Sequence, residues 1–211
     1  MYSFLKSLYA GIVIGLGGFV YLSIDNKIIG SLLFSIGLLS VMVFELNLFT
    51  GKVCSLENYK NPFKLIFIFL INFLGAEFMA VLSALSMKEN IYKKAIDLYT
   101  TKISKSPSTI IVDGIICGIC IGIAVKGYKK ANDFGKYILV IFAVMVFILV
   151  GSEHVVANMY YMLFAGIIDE NIYDFKQVLY FLILNGAGNT IGGFLVAGID
   201  KELEKKENSH G

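Results

Sequence analysis

Six long apolar stretches, separated by short polar connections, leave this chain few folds to choose from. They run over 4–24, 28–54, 63–87, 108–126, 136–168 and 177–199, and most of the charge lies in the connections and the tail. Apolar runs of this length are what a bilayer demands of a spanning helix. Hydrophobic residues make up 57% of the chain and charged ones only 16%, against about a quarter charged in a soluble domain. The sequence therefore predicts an all-α integral membrane protein of six spans. The first span starts close to Met1 and is expected to be retained rather than cleaved as a signal peptide.

Two of the blocks are too long. As a single helix, the stretch from Lys136 to Asp169 would run roughly 45–50 Å, against a hydrocarbon core of about 30 Å. Tilt absorbs part of such an excess and a break absorbs the rest. Both long blocks carry polar residues where a break is expected: VFELNLFTGK in 28–54 and GSEHVVANMYY in 136–168. Backbone groups freed inside a membrane are tolerated only in a protein interior or beside a wet cavity. Discontinuous helices at matching places in two halves point to a transport site. The halves do match: Gly11–Gly15 pairs with Gly114–Gly118, and Asn72/Gly75 with Asn189/Gly192. Three spans per copy require the second copy to be inverted. The expected organisation is one membrane domain: repeat 1 over about 1–87, repeat 2 over about 106–200, and a polar cytoplasmic tail over 201–211.

The net charge of +2 and the lack of basic patches interleaved with aromatics argue against nucleic acid. Every positive side chain is lysine. Those at 6, 52, 60, 64, 126, 129, 130, 136, 201, 205 and 206 fall on one side of a six-span topology, which the positive-inside bias makes the cytoplasm, with both termini there. The Arg-free, Ile/Asn/Lys-rich composition suggests an AT-rich bacterial genome, hence the bacterial cytoplasmic (inner) membrane. Cys117 and Cys120 have redox spacing but sit in the apolar run IIVDGIICGICIGIAV, where small residues let helices approach closely. With Cys54 they make no even framework.

GSEHVVANMYYMLFAG resembles the Gly-x-Glu-His-x-x-Ala-Asn-Met signature of the formate/nitrite transporter family. NLFTG at 47–51 is similar to the motif in that family's broken second helix, GIICGICIGIA at 114–124 to its second signature, and GNTIGG at 188–193 to its last-helix motif. The resemblance covers nearly the whole chain in order. It implies an aquaporin-like protomer with broken helices 2 and 5, a pore in each protomer and a homopentamer. The implied cargo is a small monovalent anion: formate first, then nitrite or hydrosulfide, with acetate and lactate also in the range. It implies no cofactor. By the same resemblance the pore histidine falls on His154 and the loop threonine on Thr50. The hydrophobic constrictions fall on Phe34, Leu38, Leu48, Phe49 and Phe147, and an outer-vestibule lysine on Lys102. The chain departs from the pattern at Gly118, where the family has asparagine, and at Asn47, where an acid is usual and Glu45 stands two residues earlier. Gly118 is expected to widen or rewire the pore wall.

The residue types support the same chemistry. An anion crosses rings of Leu and Phe only at great cost, so a cation at the mouth and a proton on the way ease its passage. Lys102 suits the first task. His154, with Thr50 fixing its tautomer, suits the second. Glu153 is expected to bond the amides freed by the break, with Asn158, Asn72 and Asn189 completing the network. No enzyme constellation can be assembled: the other histidine is His210, in the tail, and no His-Glu-x-x-His or Ser/His/Asp set occurs. A water channel would need two Asn-Pro-Ala loops, and only Asn61-Pro62-Phe63 is present. A non-transporting structural subunit would not need two polar breaks at repeat-related positions.

Overall fold

The computed structural model describes residues 1–86 and 88–210, the side chains of Tyr2 and of residues 207–210 excepted. Met87, at the end of the expected first repeat, and Gly211, at the end of the tail, lie outside the described residues. Among these the chain is helical, with no strand. Four helices are long and apolar enough to cross a membrane: α1 (Tyr2–Ser23), α4 (Pro62–Leu85), α6 (Pro107–Lys130) and α9 (Phe175–His210). The two overlong blocks are each interrupted. The first divides into α2 (Lys27–Val43) and a single turn, α3 (Phe49–Lys52), and the second into α7 (Gly135–Leu149) and α8 (Val155–Ile168). The chain thus makes six spans, of which the second and fifth are broken. The last helix, α9, continues into the polar tail as far as His210.

One element differs from expectation. The polar connection after α4 folds into α5 (Glu89–Ile103). Its inward residues Ile91, Ala95, Tyr99 and Lys102 recur every three to four positions and are buried, so one apolar stripe docks an otherwise hydrophilic helix.

The halves are inverted copies of one three-helix unit. In the first, α1 packs on α2 and α4; in the second, α6 packs on α7 and α9; α2 then meets α7, and α8 lies against α4. Glycines set the register. A Cβ on Gly75 would meet the Gly11 Cα at 3.0 Å, and one on Gly192 the Gly118 Cα at 2.9 Å. A Cβ on Gly15 would meet Met79 at 2.8 Å, and one on Gly122 would meet Val196 at 2.8 Å. Gly11 therefore corresponds to Gly118 and Gly15 to Gly122, one helical turn from the pairing drawn from the sequence. The Asn72/Asn189 and Gly75/Gly192 pairing stands.

The two breaks share one geometry. Each first half-helix ends with a residue in the left-handed region, Glu45 (φ 50°) and Gly151 (φ 75°). The next amide reaches back five residues, Leu46 to Val41 and Ser152 to Phe147, at 2.9 Å in both. This is the Schellman arrangement that closes a helix C-terminus. Glycine enters that region freely, whereas Glu45 does so against its own Cβ.

Candidate functional site

Two asparagines hold the breaks in place. Asn72 Oδ1 accepts from the Phe49 amide at 2.8 Å, while its Nδ2 donates to the Ser7 and Asn47 carbonyls at 2.7 and 2.9 Å. Asn189 repeats the pattern: Oδ1 accepts from the Val155 amide at 2.9 Å, and Nδ2 donates to the Gly114 and Glu153 carbonyls, both at 2.8 Å. Both are fully buried. Each side chain satisfies the first amide of the second half-helix and the carbonyl two residues before it, groups that would otherwise be orphaned in an apolar interior.

The expected role of Glu153 changes accordingly, since the freed amides go to the asparagines. The Glu153 carboxylate, 0% exposed, instead takes Lys102 Nζ at 2.5 Å and Asn158 Nδ2 at 2.7 Å on Oε2, and Lys105 Nζ at 2.6 Å on Oε1. Lys105 also reaches Asp113 at 2.7 Å and the Gly151 carbonyl at 3.3 Å. Asn185 links Asn158 (2.8 Å) to the Glu153 carbonyl (2.6 Å). Lys105, Asp113 and Asn185 escaped the sequence reading. Asn185 stands one helical turn before Asn189, and Asp113 interrupts an apolar run, so both carried a signal. Lys102 is only 8% exposed. It is not a freely solvated loop cation but half of a buried ion pair.

His154 is the residue on which the geometry converges. It is the N-cap of α8, and its Nδ1 accepts the Ala157 amide at 3.1 Å. A ring nitrogen that accepts cannot carry the proton, so in the neutral ring the proton is on Nε2. Nε2 lies 2.8 Å from Thr50 Oγ1 and donates to it. The threonine hydroxyl hydrogen is then left free to point elsewhere. Phe147 stacks on the imidazole at 5.7 Å, and Phe34 meets Phe147 edge-on at 6.1 Å.

These residues stand between two cavities. One, on the α5 side, has a volume of about 280 Å³ and is lined by Phe34, Phe147, His154, Asn158, Glu153, Lys102 and Lys105, among others. The other, on the side of the N-terminus, has about 540 Å³ and is lined by Leu48, Gly51 and Lys52 of the first break, with Glu45, Asn47, Lys6, Lys126 and Lys129. Thr50, fully buried on the turn between Leu48 and Lys52, joins the wall of the second to the histidine of the first. Leu38 is buried on α2, one turn from Phe34, and Phe49 packs edge-on against Phe69 at 5.0 Å. Neither lines either cavity. Ser152, buried in the α5-side wall, has a hydroxyl with no hydrogen-bond partner among the described residues.

The expectation for Gly118 does not hold. It packs α6 onto α9, where a Cβ would run into the Asn189 carbonyl and lie 3.0 Å from both Gly192 Cα and Gly193 N. Its smallness serves helix contact, not pore width. Cys54, Cys117 and Cys120 are buried free thiols.

Comparison with known proteins agrees with this architecture. The family model described as formate/nitrite transporter matches residues 1–200. An uncharacterized transporter of Bacillus subtilis (strain 168), YrhG, is 28% identical over 82% of this chain and 70% of its own. The formate channel FocA of Haemophilus influenzae (strain Rd) is 26% identical, covering 93% and 84%. A formate-nitrite transporter of Plasmodium falciparum (isolate 3D7) is 23% identical, covering 96% and 77%. Among solved structures, a pentameric formate channel with formate bound superposes with a TM-score of 0.87 at 23% identity, over 97% of this chain and 96% of that one. A second, an FNT family ion channel, gives 0.84 at 20%, over 95% and 89%. With the signature residues gathered at the breaks and the family model spanning all six spans, this multi-pass membrane protein belongs to the formate/nitrite transporter family, a family of transport channels rather than enzymes.

Proposed function

We propose that the protein conducts small monovalent anions of weak acids, formate foremost, through a pore in each protomer of a homopentamer in the bacterial cytoplasmic membrane. The observation that carries this reading is the Thr50–His154 hydrogen bond at 2.8 Å, which lies between two lysine-lined cavities on opposite sides. The pentamer and the choice of formate draw on the similar pentameric formate channel and the similar formate channel of H. influenzae. The side with Lys6, Lys52, Lys126 and Lys129 is assigned to the cytoplasm, with both termini, by the positive-inside bias. The whole chain acts as one membrane domain of two repeats.

An anion arriving from the α5 side meets Phe34 and Phe147, against which a bare charge is heavily penalised. It passes with a proton, as the neutral acid, and the hydroxyl of Thr50 offers a hydrogen bond midway. His154 sets that hydroxyl: Nδ1 is occupied by the Ala157 amide, so Nε2–H donates to Oγ1 and the threonine donates to the cargo. For His154 itself to take up the proton, Nδ1 would have to release that amide and unpair the first turn of α8. The proton is therefore assigned to the cargo and the water of the α5-side cavity, and His154 becomes the orienting donor. Leu48 then lines the exit, and Leu38 and Phe49 support it.

The test is uptake by purified protein in liposomes, with formate, nitrite and hydrosulfide compared at two pH values beside His154→Phe. Selective flux that rises as pH falls, and that changes sharply in the variant, is expected. Nitrite or hydrosulfide moving faster than formate would reassign the cargo. Traces of both proteins equal to empty liposomes, from a properly folded oligomer, would refute transport and leave a structural membrane subunit.

A further inference from the structure

Among the described residues, the charges around the α5-side cavity leave one cation over. Its wall contains Lys27, Lys102, Lys105 and Glu153. Lys102 pairs with Glu153 at 2.5 Å, and Lys105 with Glu153 at 2.6 Å and Asp113 at 2.7 Å. Those two ammoniums and two carboxylates sum to zero. Asp25, two residues before Lys27, is itself paired with Lys94 at 2.7 Å. Lys27 is exposed and makes no hydrogen bond or ion pair among the described residues. The amides at the start of α2 are not open to a ligand either, since the Asn26 side chain accepts from those of Ile28 and Ile29.

We infer that Lys27 is the cation that recruits small monoanions to this cavity, while Lys102 and Lys105, neutralised by Glu153 and Asp113, hold the second break. The inference rests on the transport reading above. Lys27 is solvated enough to act at a distance, so its contribution is to local anion concentration and not to the passage itself. A unit charge some 8 Å from the anion, at a dielectric between that of water and half of it, raises occupancy about two- to fivefold at low salt. Near 1 M salt the screening length falls to about 3 Å and the advantage disappears.

The experiment measures the half-saturation concentration of formate uptake into proteoliposomes, at low and at about 1 M concentration of a bulky inert salt. It compares wild type, Lys27→Gln, Lys27→Glu and Lys93→Gln, an exposed lysine of α5 outside the cavity wall. Half-saturation is expected to rise about two- to fivefold in Lys27→Gln at low salt and further in Lys27→Glu. The maximal rate should stay level, the difference should vanish at high salt, and Lys93→Gln should match wild type. Flux in wild type with unchanged half-saturation in both Lys27 variants would overturn the inference alone. So would an equal shift in Lys93→Gln, or a shift that persists at high salt. No formate flux in wild type would remove the transport reading on which it rests.

Discussion

Replacing either break asparagine by leucine should destabilise the protein, Asn72→Leu the more. Leucine keeps the branched outline of the side chain and removes all three hydrogen bonds. For Asn189→Leu the groups left over are the Val155 amide and the Glu153 carbonyl; the latter keeps its bond from Asn185. The Gly114 carbonyl lies inside α6 and retains its helical partner. For Asn72→Leu the orphans are the Phe49 amide and the Asn47 carbonyl. An orphaned buried group costs about 1–3 kcal/mol, so Asn72→Leu should lose about 2–6 kcal/mol and Asn189→Leu, with one group fully orphaned, about 1–3 kcal/mol. At about 2–4 °C per kcal/mol for a chain of this size, the midpoint should fall by about 4–24 °C in the first and about 2–12 °C in the second. The chain has no tryptophan, so the assay is the fraction of monodisperse oligomer left by size exclusion after heating in detergent. A fall of less than about 2 °C in both variants would refute the claim that these side chains hold the breaks.

Glu45→Gly should stabilise the protein by about 1 kcal/mol by relieving a left-handed residue, measured by the same heating assay; the Lys6–Glu45 pair it removes is loose at 3.9 Å and worth little. Gly118→Ala should lose about 1–3 kcal/mol, despite alanine's better helix propensity, because its Cβ forces α6 off α9; unchanged thermal midpoints would contradict the packing role given to that residue. At the α1–α2 turn, the hydrogen bond and charge of Lys94 hold the Asp25 carboxyl below its ordinary 3.8. A depressed acid stabilises the fold above its ordinary value and loses that contribution as pH falls through its lowered one. Hydrogen exchange at the start of α5 should therefore quicken on acidification below 3.8, and Asp25→Asn should abolish that dependence.

The spans and their two interruptions were legible because length and polarity speak directly to a bilayer: an apolar block of thirty residues overshoots the hydrocarbon core, and Glu153, His154 and Thr50 marked the places. The repeat register was off by one turn because Gly11, Gly15, Gly114, Gly118 and Gly122 recur every four residues. Such a pattern slides against itself, and only the helix contacts of Gly75 and Gly192 pin it. The helix α5 was hidden because its buried stripe is narrow and its lysines dominate the composition. The lysine partners of Glu153 were hidden for a different reason. Lys102 and Lys105 stand 51 and 48 residues before it and meet it only after folding, so nothing in their spacing announces a common carboxylate.

The proposed pore depends on the hydroxyl of Thr50. Formate flux into proteoliposomes should be measured for wild type, Thr50→Val and Thr50→Ser, all as monodisperse oligomers. A buried polar group left without its hydrogen bond costs about 1–3 kcal/mol, so valine should slow passage of the neutral acid by about 5- to 150-fold, and serine should restore most of it. Valine flux within about twofold of wild type, far less than one such bond is worth, would show that cargo passes without this contact and would contradict the pore described above.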